Sequence, residues 1–178
     1  MEYWIVYDLA SGAERWRGSG VTGAAAGQVL PEGLALVLVP SQALEGEALD
    51  LDVLRKMSSN LIDMQAEQAR QVFLTPGAGQ ALIYQRKEAE ARAWIIDKRT
   101  TVPFLAAEAA ARGMSVADLV AAVIERADKW TAAGSAIEGL RMGAKAAVAN
   151  AKTLGAIVAA SRIEWSSIPP SPTDRGAA

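Results

Sequence analysis

The stretch SVADLVAAVIERADKWTAAGSAIEGLRMGAKAAVANA, residues 115–151, decides how this chain is read. Ser115 followed by Asp118 is a helix-start signal, a hydroxyl at the cap with an acid three positions on. No proline follows until Pro169. Val116, Val120, Val123, Ala127, Trp130, Gly134, Ile137, Arg141, Ala144, Val148 and Ala151 recur in alternating steps of four and three. That is the repeat of a helix packed along a neighbour for many turns. Continued to Arg162, the helix would hold about 47 residues and span roughly 70 Å. Gly134, Gly139, Gly143 and Gly155 lie inside it and are the places where it would kink or divide.

Towards the N-terminus, PFLAAEAAARG reads as a short helix, with Pro103 in its first turn and Gly113 past its end. Before it lies TPGAGQALIYQRKEAEARAW, residues 75–94. Its glycines invite comparison with a phosphate-binding loop, but Gly77 and Gly79 are not followed by the Gly-Lys pair such a loop needs. A dinucleotide fingerprint would need a third glycine where Leu82 stands. The stretch reads instead as punctuation between helices: Thr75 caps, Pro76 enters the first turn, and the glycines allow reversal. A preceding helix is expected from Ser58 or Ser59, with a stripe of Leu61, Ile62, Met64, Ala69, Val72 and Phe73. Residues 41–57 read as an acidic connector with a short strand near 48–53.

The first forty residues are different in kind. YWIVYDLASGAERWRGSG reads as a β-hairpin turning at residues 8–12, and LALVLV, residues 34–39, as a further strand closed by Pro40. Two or three strands are marginal alone and need a helix, or another copy of themselves, to cover them.

Composition excludes much chemistry. The chain has 178 residues, no Cys and no His, so thiol catalysis, thiolate metal sites and every imidazole-based dyad are absent. A formal net charge of −2 without a basic block gives no nucleic-acid footprint. Roughly a fifth of the residues are alanine, which favours close-packed helices over a bulky core. No apolar run is long enough for a membrane span, and MEYWIVYDL shows no signal-peptide pattern. Asp50 and Asp52 are close but lack further ligands, so no metal and no cofactor are expected.

The charged candidates lie on the helices. The seam Ala81, Tyr84, Glu88, Ala91 and Ile95 sets Glu88 among small or apolar residues, and Arg141 sits likewise between Ile137 and Ala144. Buried charges are costly unless paired, so Lys87 or Glu88 is expected to pair with Glu138 or Arg141, within a chain or between chains. Glu90 belongs to the same candidate ion-pair set, and these carboxylates read as packing groups, not catalytic ones. Trp16, between Arg15 and Arg17, reads either as cover for the hairpin or as an exposed contact. With Trp4 these residues form the candidate partner-contact set.

Residues 60–94, NLIDMQAEQARQVFLTPGAGQALIYQRKEAEARAW, together with residues 115–151, resemble a domain of small tail-fibre-like and tail-accessory proteins of bacteriophages and prophages. The pattern falls on Thr75, Pro76, Gly77, Gln80, Tyr84, Lys87, Glu90, Ala91, Gly113, Met114, Ser115, Trp130, Ile137, Glu138 and Arg141. YWIVYDLASG is similar to the opening of such proteins. The resemblance covers about residues 61–151, and its motifs are structural.

The expected fold is α+β, mostly α: a β-rich module and connector (1–57), a helical bundle or coiled-coil-like domain (58–165) and a Pro-rich arm (166–178). The resemblance implies a non-enzymatic virion structural protein of the tail tip, baseplate or fibre, made in the host cytoplasm. Its implied partners are other tail or baseplate proteins and itself, as a homo-oligomer with three copies favoured because symmetric fibres commonly use three. Two rivals stand beside it: a tail-fibre assembly chaperone absent from the mature virion, and a carboxylate-dependent glycan hydrolase.

Overall fold

Strand β1 (Glu2–Asp8) is apolar on both faces, which destines it for the middle of a sheet. In the computed structural model, which describes residues 1–73 and 78–168, it is flanked by β2 (Glu14–Gly20) and β3 (Leu34–Val39) in the order β2-β1-β3. Both pairings are antiparallel; the register with β2 shifts between Val6 and Tyr7. Helices follow: α1 (Leu51–Gln71), α2 (Ala78–Ile96), α3 (Pro103–Arg112), α4 (Val116–Asn150) and α5 (Leu154–Ala160), with short 3-10 turns at Ser41–Leu44 and Trp165–Ser167. The architecture is α+β and mostly α. Among the described residues, no helix is long and apolar enough to cross a membrane.

The chain forms two compact units. The first comprises Met1–Ala66 and Gly139–Glu164. On one face of its sheet, Ile5, Tyr7 and Val39 meet Leu54 and Ile62 of α1, Val148 of α4, and Leu154 and Ile157 of α5. Each such side chain, fully buried, stabilises by about 1.5–3 kcal/mol. On the other face Trp4 and Val6 pack with Ala24, Ala25, Leu30, Leu34 and Leu36. The hairpin turn docks on the start of α5: the Gly155 N–H donates to the Gly12 carbonyl at 3.0 Å. A Cβ on Gly155 would lie 2.4 Å from the Gly12 Cα, and Gly12 itself holds φ +69°, so both positions require glycine.

The second unit comprises Glu67–Glu138 and Trp165–Ala178. Its core joins Ala91 of α2, Val102, Leu105 and Ala109 of α3, and Leu119 and Val120 of α4. Gly113 ends α3 in the left-handed conformation, its N–H facing the Ala109 and Ala110 carbonyls. The Ser115 hydroxyl accepts the Asp118 N–H at 3.1 Å and donates to the Asp118 carboxylate at 2.6 Å, opening α4 as its spacing predicts.

Every position of the α4 seam is buried or half-buried, through Ala151 just past its end. Several other expectations are corrected. Gly134, Gly139 and Gly143 lie inside one continuous helix, and the break comes later, at residues 151–153. There the Arg55 guanidinium donates to the Ala151 carbonyl at 2.8 and 3.2 Å, and the Thr153 hydroxyl caps α5 by accepting the Ala156 N–H. Helix α1 begins at Leu51, not after Ser58, and residues 48–53 form no strand. The Asp50 carboxylate caps it, accepting the Asp52 and Val53 N–H groups, while Ser58 is buried on the face shared by Leu54, Ile62 and Ala66. Leu61, Met64 and Val72 of the expected stripe are exposed. Thr75, Pro76 and Gly77, on which the loop reading rests, lie outside the described residues, as does the Pro-rich arm from residue 169.

Candidate functional site

The polar residues singled out by the sequence gather at helix junctions, and each is positioned by an identifiable local cause. In the second unit, burial of α2 begins at Lys87 and runs through Glu90, Ala91 and Trp94. The packed face lies one residue, about 100°, round from the expected seam: Ala81, Tyr84 and Ile95 are exposed, while Glu88 is half-buried and Ala91 buried. The face is chosen by α3. Lys87 Nζ reaches Glu108 of α3 at 2.7 Å, and Arg112 holds the other oxygen of that carboxylate at 3.0 Å. The Lys87 ammonium, with Arg112 beside it, keeps the Glu108 carboxyl below its ordinary value.

Glu90 does something else. It is a buried carboxylate that accepts the Leu105 N–H at 3.1 Å and the Phe104 N–H at 3.4 Å. These are first-turn amides of α3, whose own cap residue, Val102, has no side chain able to serve them. A carboxylate from α2 therefore caps α3, and the charge sits at the positive end of that helix. Lone Ala91, fully buried next to it, lets the two helices approach.

The remaining candidates find other partners. Glu88 holds Arg92 at 2.8 Å, and Arg92 also reaches Asp128 of α4 at 2.9 Å. Glu138 receives Arg70 of α1 at 2.7 Å. Phe73 and Trp130 lie 6.2 Å apart between ring centroids, tilted by 50°. Within the chain the expected pairing of Lys87 or Glu88 with Glu138 or Arg141 is not formed among the described residues: α3 supplies the partner of Lys87, and Arg92 that of Glu88.

In the first unit Arg141 donates to Asp63 of α1 at 2.6 Å, and Lys145 reaches the other Asp63 oxygen at 2.5 Å. Lys145 and then Arg141 pull the Asp63 carboxyl below its ordinary value. Sequence reasoning missed Asp63 and Lys145. Their signal was present, since an acid on one helix and two bases at i, i+4 on another can clamp, but the facing of α1 on α4 was not readable. Beside this clamp a shallow groove of about 430 Å³ is lined by Asp52, Arg55, Lys56, Ser59, Asn60 and Lys145. Arg55 is engaged by Asp52 at 2.5 Å as well as by the Ala151 carbonyl.

The partner-contact candidates divide. Trp4 is 5% exposed, with its indole against Gly18; a Cβ there would lie 2.3 Å from the ring. This tryptophan packs the sheet and is not open to a partner. Trp16 is 42% exposed, opposite Val6 on β1. Arg15 pairs with Asp8 at 2.7 Å, and Arg17 with Glu14 at 2.5 Å. The Asp8 carboxyl is held well below its usual range by Arg15 first and then by the Ser11 N–H and hydroxyl. Among the described residues no group of three or more acidic side chains gathers as a metal site; Asp50 caps α1 and Asp52 binds Arg55. No protein family, curated protein or solved structure matches this chain.

Proposed function

We propose that the chain is a non-enzymatic structural part of a bacteriophage tail, at the tail tip, baseplate or fibre, that works by assembling with copies of itself and with other tail proteins. The observation that carries this reading is where the motif residues go. Lys87 ties α2 to α3, Glu90 caps α3 across the helix junction, Glu138 holds α1 and Arg141 clamps Asp63. These are struts that fix helix register, and they carry the same positions on which the resemblance to tail proteins rests. The seam of α4 adds to it, since its small residues permit close helix approach.

Virion residence is the expected location, after synthesis in the host cytoplasm. Mass spectrometry of gradient-purified particles tests the reading. Peptides of this chain are expected in the particle at a fixed ratio to the other tail proteins. Presence in infected cells with absence from the particle would overturn it in favour of an assembly chaperone.

A further inference from the structure

The two edges of the sheet are built differently. β2 carries Glu14, Arg15 and Arg17, and Arg17 also donates to the carbonyls of Gly46 at 3.3 Å and Glu47 at 3.1 Å, so that connector lies against it. Its register with β1 is broken by a shift. Charge, irregularity and a covering segment are the ordinary means of keeping an edge from pairing.

Among the described residues β3 has none of them. LALVLV contains no charge, no proline and no glycine. It pairs with β1 in unbroken register from Tyr3 opposite Val39 to Asp8 opposite Leu34. Among the described residues its other side has no strand, and the backbone bond it makes beyond the sheet is the Leu34 N–H to the Pro31 carbonyl at its first residue. An antiparallel strand of this length turns the N–H and C=O of about three residues outward. Leu38, 50% exposed, is the most open large side chain of the strand.

We propose that β3 pairs edge to edge with β3 of a second copy, antiparallel, about a two-fold axis perpendicular to the sheet at Val37. The strand complements itself. Without charge, no like-charge repulsion arises across the axis. Ala35, Val37 and Val39 pack on the helix-covered face, while Leu34 and Leu36 pack on the Trp4 face. Alternation places Leu38, opposite Trp4, on that second face as well. A two-fold axis perpendicular to the sheet keeps like faces together, so leucine meets leucine and valine or alanine meets the same. With the axis at Val37, Leu38 of one copy lies opposite Leu36 of the other, which covers the most exposed residue. The result is one continuous sheet made of two three-stranded halves.

This inference rests on the self-association in the proposed function and not on the placement in a tail. A two-fold pair also excludes three copies joined by this edge. Sedimentation equilibrium on the full chain tests it. The wild type is expected at twice the chain mass, and Leu38→Lys and Leu38→Glu each at the monomer mass at concentrations up to about ten times higher, with unchanged circular dichroism. Mixing the two variants is expected to restore the dimer, because residues 38 of the two copies are diagonal neighbours at about 7–8 Å. Arg15→Glu on the opposite edge is expected to leave the mass unchanged. A wild-type monomer, a trimer, or a dimer indifferent to both Leu38 variants would overturn the proposal. Virion residence stands or falls separately, by the particle's protein content.

Discussion

The two compact units spend their apolar residues differently. In the unit of Met1–Ala66 and Gly139–Glu164, large side chains from a sheet and from three helices close on one another: Ile5, Leu54, Ile62, Val148 and Ile157 are all buried. In the unit containing Glu67–Glu138, the cluster that joins α2, α3 and the start of α4 includes the small residues Ala91 and Ala109. A helix cap and ion pairs do more of the joining there. The contrast is sharpest in α2, where residues 79–86 are all exposed and Leu82 reaches 68%, before burial starts at Lys87. Two turns of helix with exposed side chains draw on propensity and on continuity with the docked half. The lesson is that the same alanine-rich helical composition can be anchored by bulk or by polar register.

That comparison can be broken first by removing bulk. Ile62→Ala deletes a fully buried side chain from the sheet-backed core and is expected to cost about 3–4 kcal/mol in urea unfolding. A loss below about 1 kcal/mol would mean that this core is not closed. Removing the polar joint is expected to cost less. Glu90→Ala strips the Leu105 and Phe104 amides of their acceptor, for about 2 kcal/mol. Glu90→Gln keeps an oxygen there and is expected to retain at least half of that. If Gln and Ala were equal, capping would not be the role of this side chain.

Acid gives the smallest effect and probes one clamp in each unit. Asp63 and Glu108 have folded pKa values below their ordinary ones. The stability they contribute is therefore present above the ordinary carboxyl range, about 4, and is lost as pH falls through the depressed folded values. Both clamps are partly solvated, so each contribution is modest. Asp63→Asn and Glu108→Gln are each expected to flatten the fall of melting temperature below about pH 4, with little change in slope between pH 6 and 8. An unaltered acid slope in both variants would show that neither pair is formed in solution.

Much of this fold was legible because periodicity reports burial directly. The steps of four and three along α4 fell on its buried and half-buried positions, and LALVLV gave the bounds of β3. Pro103, Gly113 and the Ser115–Asp118 pair marked helix ends through local chemistry that needs no tertiary partner. What escaped was set by tertiary docking. The break at residues 151–153 depends on Arg55 from another helix and on the close approach of Gly12 and Gly155, so helix propensity alone ran past it. Asp50 was hidden as a cap inside an acidic run, and Ser58 looked like a cap although its small side chain serves the packed face of α1. For the candidate site, the residues Lys87, Glu90, Glu138 and Arg141 were visible as charges on packed helices. Their partners Glu108, Arg70 and Asp63 were not, because which helix faces which is decided by the whole core.

Native-state hydrogen exchange on the full chain tests the contrast between the units most directly. Amides of β1 and of the Leu54–Ile62 face of α1 are expected to exchange only by global unfolding, while those of residues 82–86 exchange through local opening, at least about a thousandfold faster. Equal protection in the two regions would contradict the division between a closed, sheet-backed core and an exposed stretch of helix at residues 79–86.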